Sequence, residues 1–284
     1  MTYTLHLIIT IAMFIPVTLG YNLVFGRGKI LHFGPLAVSI VSAYGIFLVQ
    51  RNTGSYFGGI AMGALIALLM SLLFAWLALR LDADALGILT IACHLAAVAV
   101  ILNWTSLTRG ALGIAQIPRM PGLGSMEAFA GITVLVAAAW IFFMRKVDCS
   151  SLGRALTALA ENRFHAESLG ISRRAVYLQA FLIAGVGSLT SNIFFPQYIG
   201  LLHPNDYGFH PLIFVLMCIV AGKPGSVLGV TTGVVLLTLL KEGLRFFPLS
   251  AGLVGPLRLV LFGVILIVAV YIRRKELFPK PRTV

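Results

Sequence analysis

Residues 57–79 read FGGIAMGALIALLMSLLFAWLAL, and no Asp, Glu, Lys or Arg interrupts them. A helix of about 20 apolar residues spans the roughly 30 Å hydrocarbon core of a bilayer. This stretch has no polar face to offer water, so it reads as a transmembrane helix rather than a surface helix. Comparable runs lie at 5–25, 30–49, 85–102, 127–144, 176–194, 211–221, 226–240 and 254–272. Only short connections remain between them. The expected fold is all-α, a polytopic integral membrane protein of about eight to ten transmembrane or re-entrant helices.

Composition excludes the alternatives. Of the 284 residues 59% are hydrophobic and only 11% charged, and the mean hydropathy is +0.99. A soluble domain carries about a quarter charged residues, so neither a water-soluble globule nor a disordered chain fits. Lys and Arg total 21 against 9 Asp and Glu, for a net charge of +12. Basic residues gather in the cytoplasmic loops of membrane proteins. There is no separate polar domain to bind nucleic acid, and none is expected as a partner. Cys93, Cys149 and Cys218 lack paired spacing and imply neither a disulfide framework nor a metal site. The first run follows a leader without Lys or Arg, so it is expected to be a retained span and not a secretory signal.

Two runs are interrupted. The one from Ile30 contains Gly34-Pro35, and 211–221 is too short to cross the core unaided. Broken helices are tolerated where they are buried in protein or line a wet cavity. Each therefore reads either as part of a transport path or as a kink packed against its neighbours. Alternate loops divide the basic residues fifteen to six: Arg27, Lys29, Arg80, six from Arg145 to Arg174, Lys223 and five from Arg273 to Arg282, against Arg51, Arg109, Arg119, Lys241, Arg245 and Arg258. The positive-inside rule puts the larger set in the cytoplasm.

The longest polar interruption, 145–175, is then a cytoplasmic loop. Within it Leu152, Leu156, Leu159 and Ala160 recur at helical spacing. Ser151 can cap a helix, and Gly170 can stop one. The expectation is one amphipathic helix of about four turns, with Arg154, Glu161, Arg163 and Glu167 on its polar surface. It serves either as an anchor on anionic lipid or as a docking helix for a cytoplasmic partner; the two carboxylates and the scarcity of Lys favour docking.

The chemistry of an engine is missing. Gly-Lys occurs at Gly28-Lys29 and Gly222-Lys223, with no upstream glycine or following Ser/Thr to build a phosphate loop. No Asp or Glu lies deep in an apolar run, and His94 is the one ionisable side chain expected well inside a span. No nucleophile–base pair or metal-ligand spacing appears, so no catalytic residue, cofactor or resident metal is expected. The chain reads as the membrane half of a machine powered elsewhere.

Four segments carry a family resemblance. They are Gly20-Tyr21-Asn22-Leu23 with Gly26, Gly28 and Phe33-Gly34; Asn103 to Pro118, including Thr105-Ser106-Leu107-Thr108-Arg109-Gly110; Ser151-Leu152-Gly153-Arg154-Ala155-Leu156 with Glu161-Asn162 and Ala166-Glu167-Ser168-Leu169-Gly170-Ile171; and Gly222-Lys223-Pro224-Gly225-Ser226 with Gly229, followed by Leu239 to Arg245. In these the chain resembles the permeases of branched-chain amino acid ATP-binding-cassette transporters, specifically the M-type partner of the leucine/isoleucine/valine permease pair. It departs from the family pattern at Pro35, at Lys223-Pro224 and at Arg109.

The resemblance implies a single permease domain over 1–284, in the inner (plasma) membrane, with a cytoplasmic tail at 273–284. It implies a homologous second permease, two cytoplasmic ATPase subunits and a periplasmic substrate-binding protein as partners besides the lipid bilayer. The cargo would be branched-chain or other hydrophobic amino acids, with urea or short amides as the alternative within the class and a self-contained secondary carrier outside it. The coupling element for the ATPase would then be 151–171, with Gly153, Arg154, Glu161, Glu167 and Gly170 as its candidate residues. Thr105, Ser106, Thr108 and Arg109 would belong to an outer loop that meets the binding protein or shapes the outer gate, or else forms an ordered cap without ligand contact. Polar residues inside apolar runs are costly unless they face a cavity, which makes Asn22, His32, Ser39, Tyr44, His94 and Asn192 the candidates for the translocation pathway. Carriage of neutral zwitterions further implies no fixed full charge along it.

Overall fold

A computed structural model describes residues 2–243, together with 260–261, 263–265, 267–268 and 271. The last apolar run, most of which falls outside these residues, and the tail at 273–284 are therefore not placed; nor are Arg245 and Arg258 of the charge count. The remaining runs each become a helix. With three short helices outside the runs (α5, α7 and α8), the α-helices in chain order are α1 (Thr2–Tyr21), α2 (Pro35–Thr53), α3 (Tyr56–Arg80), α4 (Ala83–Asn103), α5 (Thr105–Thr108), α6 (Met126–Cys149), α7 (Ser151–Glu161), α8 (Arg163–Ser168), α9 (Arg173–Ile199), α10 (Phe209–Gly222) and α11 (Val227–Gly243). Among the described residues six segments are long and apolar enough to cross a membrane, the last of them Pro204–Gly222, which contains α10. With α2 and α11 packed among them, the chain is an all-α polytopic membrane protein.

Exposure sorts the helices. In the span that includes α1, 78% of the most apolar window is buried, against 28% for α3 and α6. α1 is therefore the axial helix, enclosed by α6, α9, α10 and α11, while α2 sits among α3, α4 and α9. The outer helices turn Leu69, Trp76, Ile88, Leu135 and Phe142 outward, as surfaces solvated by lipid chains require.

Small residues set the close crossings. A Cβ on Gly187 would lie 2.5 Å from the Pro16 carbonyl oxygen, and one on Gly20 would lie 3.0 Å from the Ala184 Cα. Backbones can approach this closely only where side chains are absent or short. The Ser191 hydroxyl adds a bond across the same crossing, accepting from the Val17 N–H at 3.0 Å.

Both interruptions are real. After α1 the helix widens into a π-turn, Asn22–Arg27, and residues 28–34 then run without helix until Pro35 opens α2 at its first position, where proline's missing N–H costs nothing. The freed backbone finds partners: Phe33 N–H donates to Thr90 Oγ1 at 2.9 Å, and the Tyr21 hydroxyl donates to the His32 carbonyl. α10 has 14 residues, about 21 Å at 1.5 Å per residue, and a short 3-10 turn, Pro204–Tyr207, precedes it.

The described ends fall on two faces. Arg27, Arg80, the 145–174 segment and Lys223–Gly225 share the basic face, which the charge count assigns to the cytoplasm. On the opposite face the 103–118 loop is tied to the chain after α9 by a two-residue antiparallel ladder, β1 (Ile114–Ala115) with β2 (Leu201–Leu202), pairing Ile114 with Leu202.

Candidate functional site

On the cytoplasmic face the expected single helix is two. α7 ends at Glu161, Asn162 is extended with φ −152°, and the Asn162 side chain caps α8 by accepting from His165 N–H at 3.0 Å. Asparagine's short amide competes for backbone donors, which breaks the helix where leucine periodicity alone would continue it. The cap position of α7 is also Ser150, not Ser151, and its hydroxyl donates backward to the Val147 carbonyl instead. Gly170 does stop the element: its φ is +85°, its N–H donates to Glu167 O, and Ile171 N–H reaches Ala166 O. That is the paired-bond helix stop in which glycine avoids the left-handed penalty.

The five coupling candidates divide. Gly153 is buried, and a Cβ there would lie 2.4 Å from the Asp148 carbonyl oxygen; it seats α7 on the end of α6 rather than on a partner. Arg154 and Glu161 are exposed, with Arg154 donating to the Cys149 carbonyl at 2.7 Å. Glu167 is paired within the chain, to Arg163 Nε at 3.3 Å and Arg173 Nε at 3.5 Å, so α8 is held to the start of α9. Large apolar side chains stand bare as well: Phe164 is 79% exposed and Leu169 70%. Open grooves of about 510 and 640 Å³ flank the element, the first lined by Arg27, Arg145 and Lys223, the second by Arg80, Arg173 and Arg174.

Arg27 ties this element to the membrane helices, a role its sequence neighbours did not signal. It pairs with Asp148 and donates to Thr157 Oγ1 at 3.3 Å and to the Gly225 carbonyl at 3.2 Å. Beside it Asn22 Oδ1 accepts from Gly225 N–H at 2.8 Å. Asn22 thus latches the α10–α11 turn. His32 is likewise away from any opening, buried between the rings of Tyr21 and Phe181 at 5.1 and 4.8 Å.

The other four pathway candidates gather in the outer half. Ser39 and Asn192 line one cavity of about 40 Å³ together with Ser191, Asp206 and Tyr207. Tyr44, buried one to two turns along α2, shares the neighbourhood of Tyr207 and Asp206. His94 is fully buried with its ring toward the Gly208 backbone. The two interrupted runs meet here, since Leu36 and Ser39 open α2 and Pro211 belongs to α10. Asp206 lines the same cavity although it lies in no apolar run. It precedes the apolar run by only five residues, and packing of the 3-10 turn against α2 carries it inward.

In the outer loop, Thr108 is buried and its hydroxyl donates to the Ile101 and Trp104 carbonyls at 2.6 and 2.7 Å, so it folds the loop. Thr105, Ser106 and Arg109 are exposed, and Arg109 joins Arg51 around an open depression of about 250 Å³. Gly113, with φ +64°, lets the Leu202 carbonyl approach to 2.4 Å of where a Cβ would stand.

Comparison with known proteins gives this architecture a family. The family described as branched-chain amino acid transport system / permease component matches residues 3–270. The chain belongs to that family. These permease components include the high-affinity branched-chain amino acid transport system permease protein LivM of Escherichia coli (strain K12), 27% identical over 263 residues, 83% of this chain and 62% of the relative. LivM of Salmonella typhimurium (strain LT2) matches with the same identity and coverage. The chain therefore spans less than two thirds of the length of these curated permease relatives. No solved structure matches this chain.

Proposed function

We propose that the chain is the transmembrane permease subunit of an ATP-binding-cassette importer for branched-chain or other hydrophobic amino acids in the inner membrane. It acts as one permease domain beside a homologous second permease. Two separate ATPase subunits supply the energy, and a periplasmic binding protein delivers the substrate. Its named relatives are branched-chain amino acid permeases, which supports the cargo class. The observation that carries the reading is the 151–170 element, held to the bundle by Gly153 and Arg173 while it presents Phe164 and Leu169 to the cytosol.

A bare aromatic and a bare aliphatic residue on one short segment, with the Arg163 guanidinium 5.7 Å from the Phe164 ring centre, fit an interface better than a free surface. With the ATPase seated in the flanking grooves, its movement on nucleotide binding reaches Arg27 through Thr157 and Asp148, and from there Gly225 and the α10–α11 turn. The outer loop around Thr105, Ser106 and Arg109 receives the binding protein. The test is uptake by vesicles holding the full complex. ATP-dependent accumulation of leucine, isoleucine or valine is the expected result. Uptake that persists without the ATPase subunits, or that carries urea or amides and no aliphatic amino acid, would overturn it.

A further inference from the structure

The cavity shared by α1, α2, α9 and the turn before α10 has features that a packing defect lacks. Its wall is apolar along Met13, Phe14, Val17, Leu36 and Phe195, yet the Asp206 carboxylate lines it. An ionisable side chain inside a membrane bundle is expensive and is placed there for function by default. Among the described residues no basic nitrogen lies within 4.0 Å of that carboxylate. His203 and Lys241 are near enough for their fields to reach it, but Lys241 Nζ lies over the Phe214 ring and the His203 ring bonds the Ala111 carbonyl. Two of the hydroxyls lining the same cavity, Ser39 Oγ and Tyr207 Oη, are buried and have no hydrogen-bond partner among the described residues. Buried polar atoms left unpaired are costly, so two at one cavity, beside a carboxylate, point to something that binds there.

We propose that this cavity is an amino-acid subsite in which Asp206 receives the α-ammonium group. The Ser39 and Tyr207 hydroxyls donate to the carboxylate, and the aliphatic side chain lies along Phe14, Leu36 and Phe195. The assignment rests on the permease reading above and names the recognition chemistry within it. At about 40 Å³ the cavity has room for about three waters. The conformation described is therefore closed on the subsite, and a whole branched amino acid enters as α10 and its preceding turn move away from α1 and α9. A formal anion also explains how a bundle this apolar attracts a zwitterion: it substitutes for the water that the ammonium group leaves behind.

The test uses the full complex in vesicles, with Ser39→Cys in a chain whose Cys93, Cys149 and Cys218 are replaced by Ala. Labelling by 2-aminoethyl methanethiosulfonate is compared with labelling by neutral methyl methanethiosulfonate. Fixed charge in a low-dielectric cleft concentrates counter-ions at least about tenfold, so the cationic reagent is expected to react about tenfold faster. That preference falls to within about twofold of parity in Asp206→Asn and survives in Asp206→Glu, which controls for misfolding. L-Leucine slows the labelling, whereas 4-methylpentanoate, which lacks the ammonium group, does not. A preference unchanged by Asp206→Asn, or equal protection by the two compounds, overturns the subsite. ATP-dependent leucine uptake by the same vesicles carrying the unmodified chain separates the two readings: uptake with no Asp206 effect removes only the subsite, and absence of uptake removes the cargo assignment as well.

Discussion

Arg27 and Asp148 stand 3.0 Å apart, Nε to Oδ1, with the two side chains 25% and 15% exposed. Through this pair the end of the widened turn after α1 meets the end of α6, and the same guanidinium reaches α7 and the α10–α11 turn. Three parts of the chain distant in sequence, the turn after α1, the α6–α7 corner and the α10–α11 turn, are held by one planar group. Lysine, a single point charge, cannot satisfy these partners together.

Replacing either member strands the other. Arg27→Ala and Asp148→Ala should each lower the stability of the purified chain, and the double variant should lose less than the sum, with a coupling of about 0.5–3 kcal/mol. Arg27→Lys should retain most of the stability but uncouple ATP hydrolysis from leucine uptake. Stability in detergent and the ratio of ATP hydrolysed to leucine moved are the measurements. Additive losses with an unchanged ratio would remove Arg27 from the coupling route.

Gly153→Ala is expected to be severe for a single methyl group. The new Cβ meets the Asp148 carbonyl oxygen at 2.4 Å and the Val147 oxygen at 2.7 Å, both backbone atoms that cannot swing aside. Gly131→Ala on α6, which meets nothing within 4 Å, should be neutral or gain up to about 1 kcal/mol from helix propensity. Size-exclusion profiles of the two solubilised variants compare them directly, and equal recovery of folded protein would mean α7 is not seated on α6.

At Gly170 the obstacle is conformation, because nothing surrounds the site where a Cβ would stand. A positive φ costs an ordinary residue about 1–2 kcal/mol, and asparagine tolerates it best. Uptake should fall in the order Gly, Asn, Ala, Val, with membrane insertion unchanged throughout. An alanine variant as active as the parent would show that the turn can be remade.

Phe164→Ala touches no internal packing, so stability should stay within about 0.5 kcal/mol of the parent while ATPase co-purification and uptake are lost. Glu167→Lys should do less, because it removes partly exposed ion pairs worth at most about 1 kcal/mol. Were Glu167→Lys the more damaging of the two for ATPase binding, the carboxylate and not the aromatic would be the docking contact.

The membrane helices were legible because their signal is local: a run without charge forces its backbone into a helix whatever the neighbours do. The break at Gly34-Pro35 and the stop at Gly170 were legible for the same reason, as both rest on one residue's allowed dihedrals. Asn162 carried a local signal too, since asparagine favours helix caps, but the surrounding leucine spacing outweighed it. Asp206 carried none. Its place depends on a 3-10 turn folding against α2, more than 160 residues earlier in the chain, and spacing along the sequence cannot report that. Arg27 was counted only as a loop charge, because its partners come from α6, α7 and the α10–α11 turn.

The π-turn at Asn22–Arg27 has a consequence for how the chain tolerates changes in length. A π-turn closes on the fifth residue instead of the fourth, so it holds one residue more than an α-helix needs over the same rise. Removing one residue from an ordinary span rotates everything beyond it by about 100° and turns lipid-facing side chains inward. Removed here, it would let the turn re-close as regular α-helix and leave the preceding helix undisturbed. What would be forfeited is the reach of Asn22 and Arg27 toward Gly225. A single-codon deletion in this segment should therefore give a protein that folds and resides in the bilayer but no longer moves cargo, whereas the same deletion in the middle of α3 or α6 should give none at all.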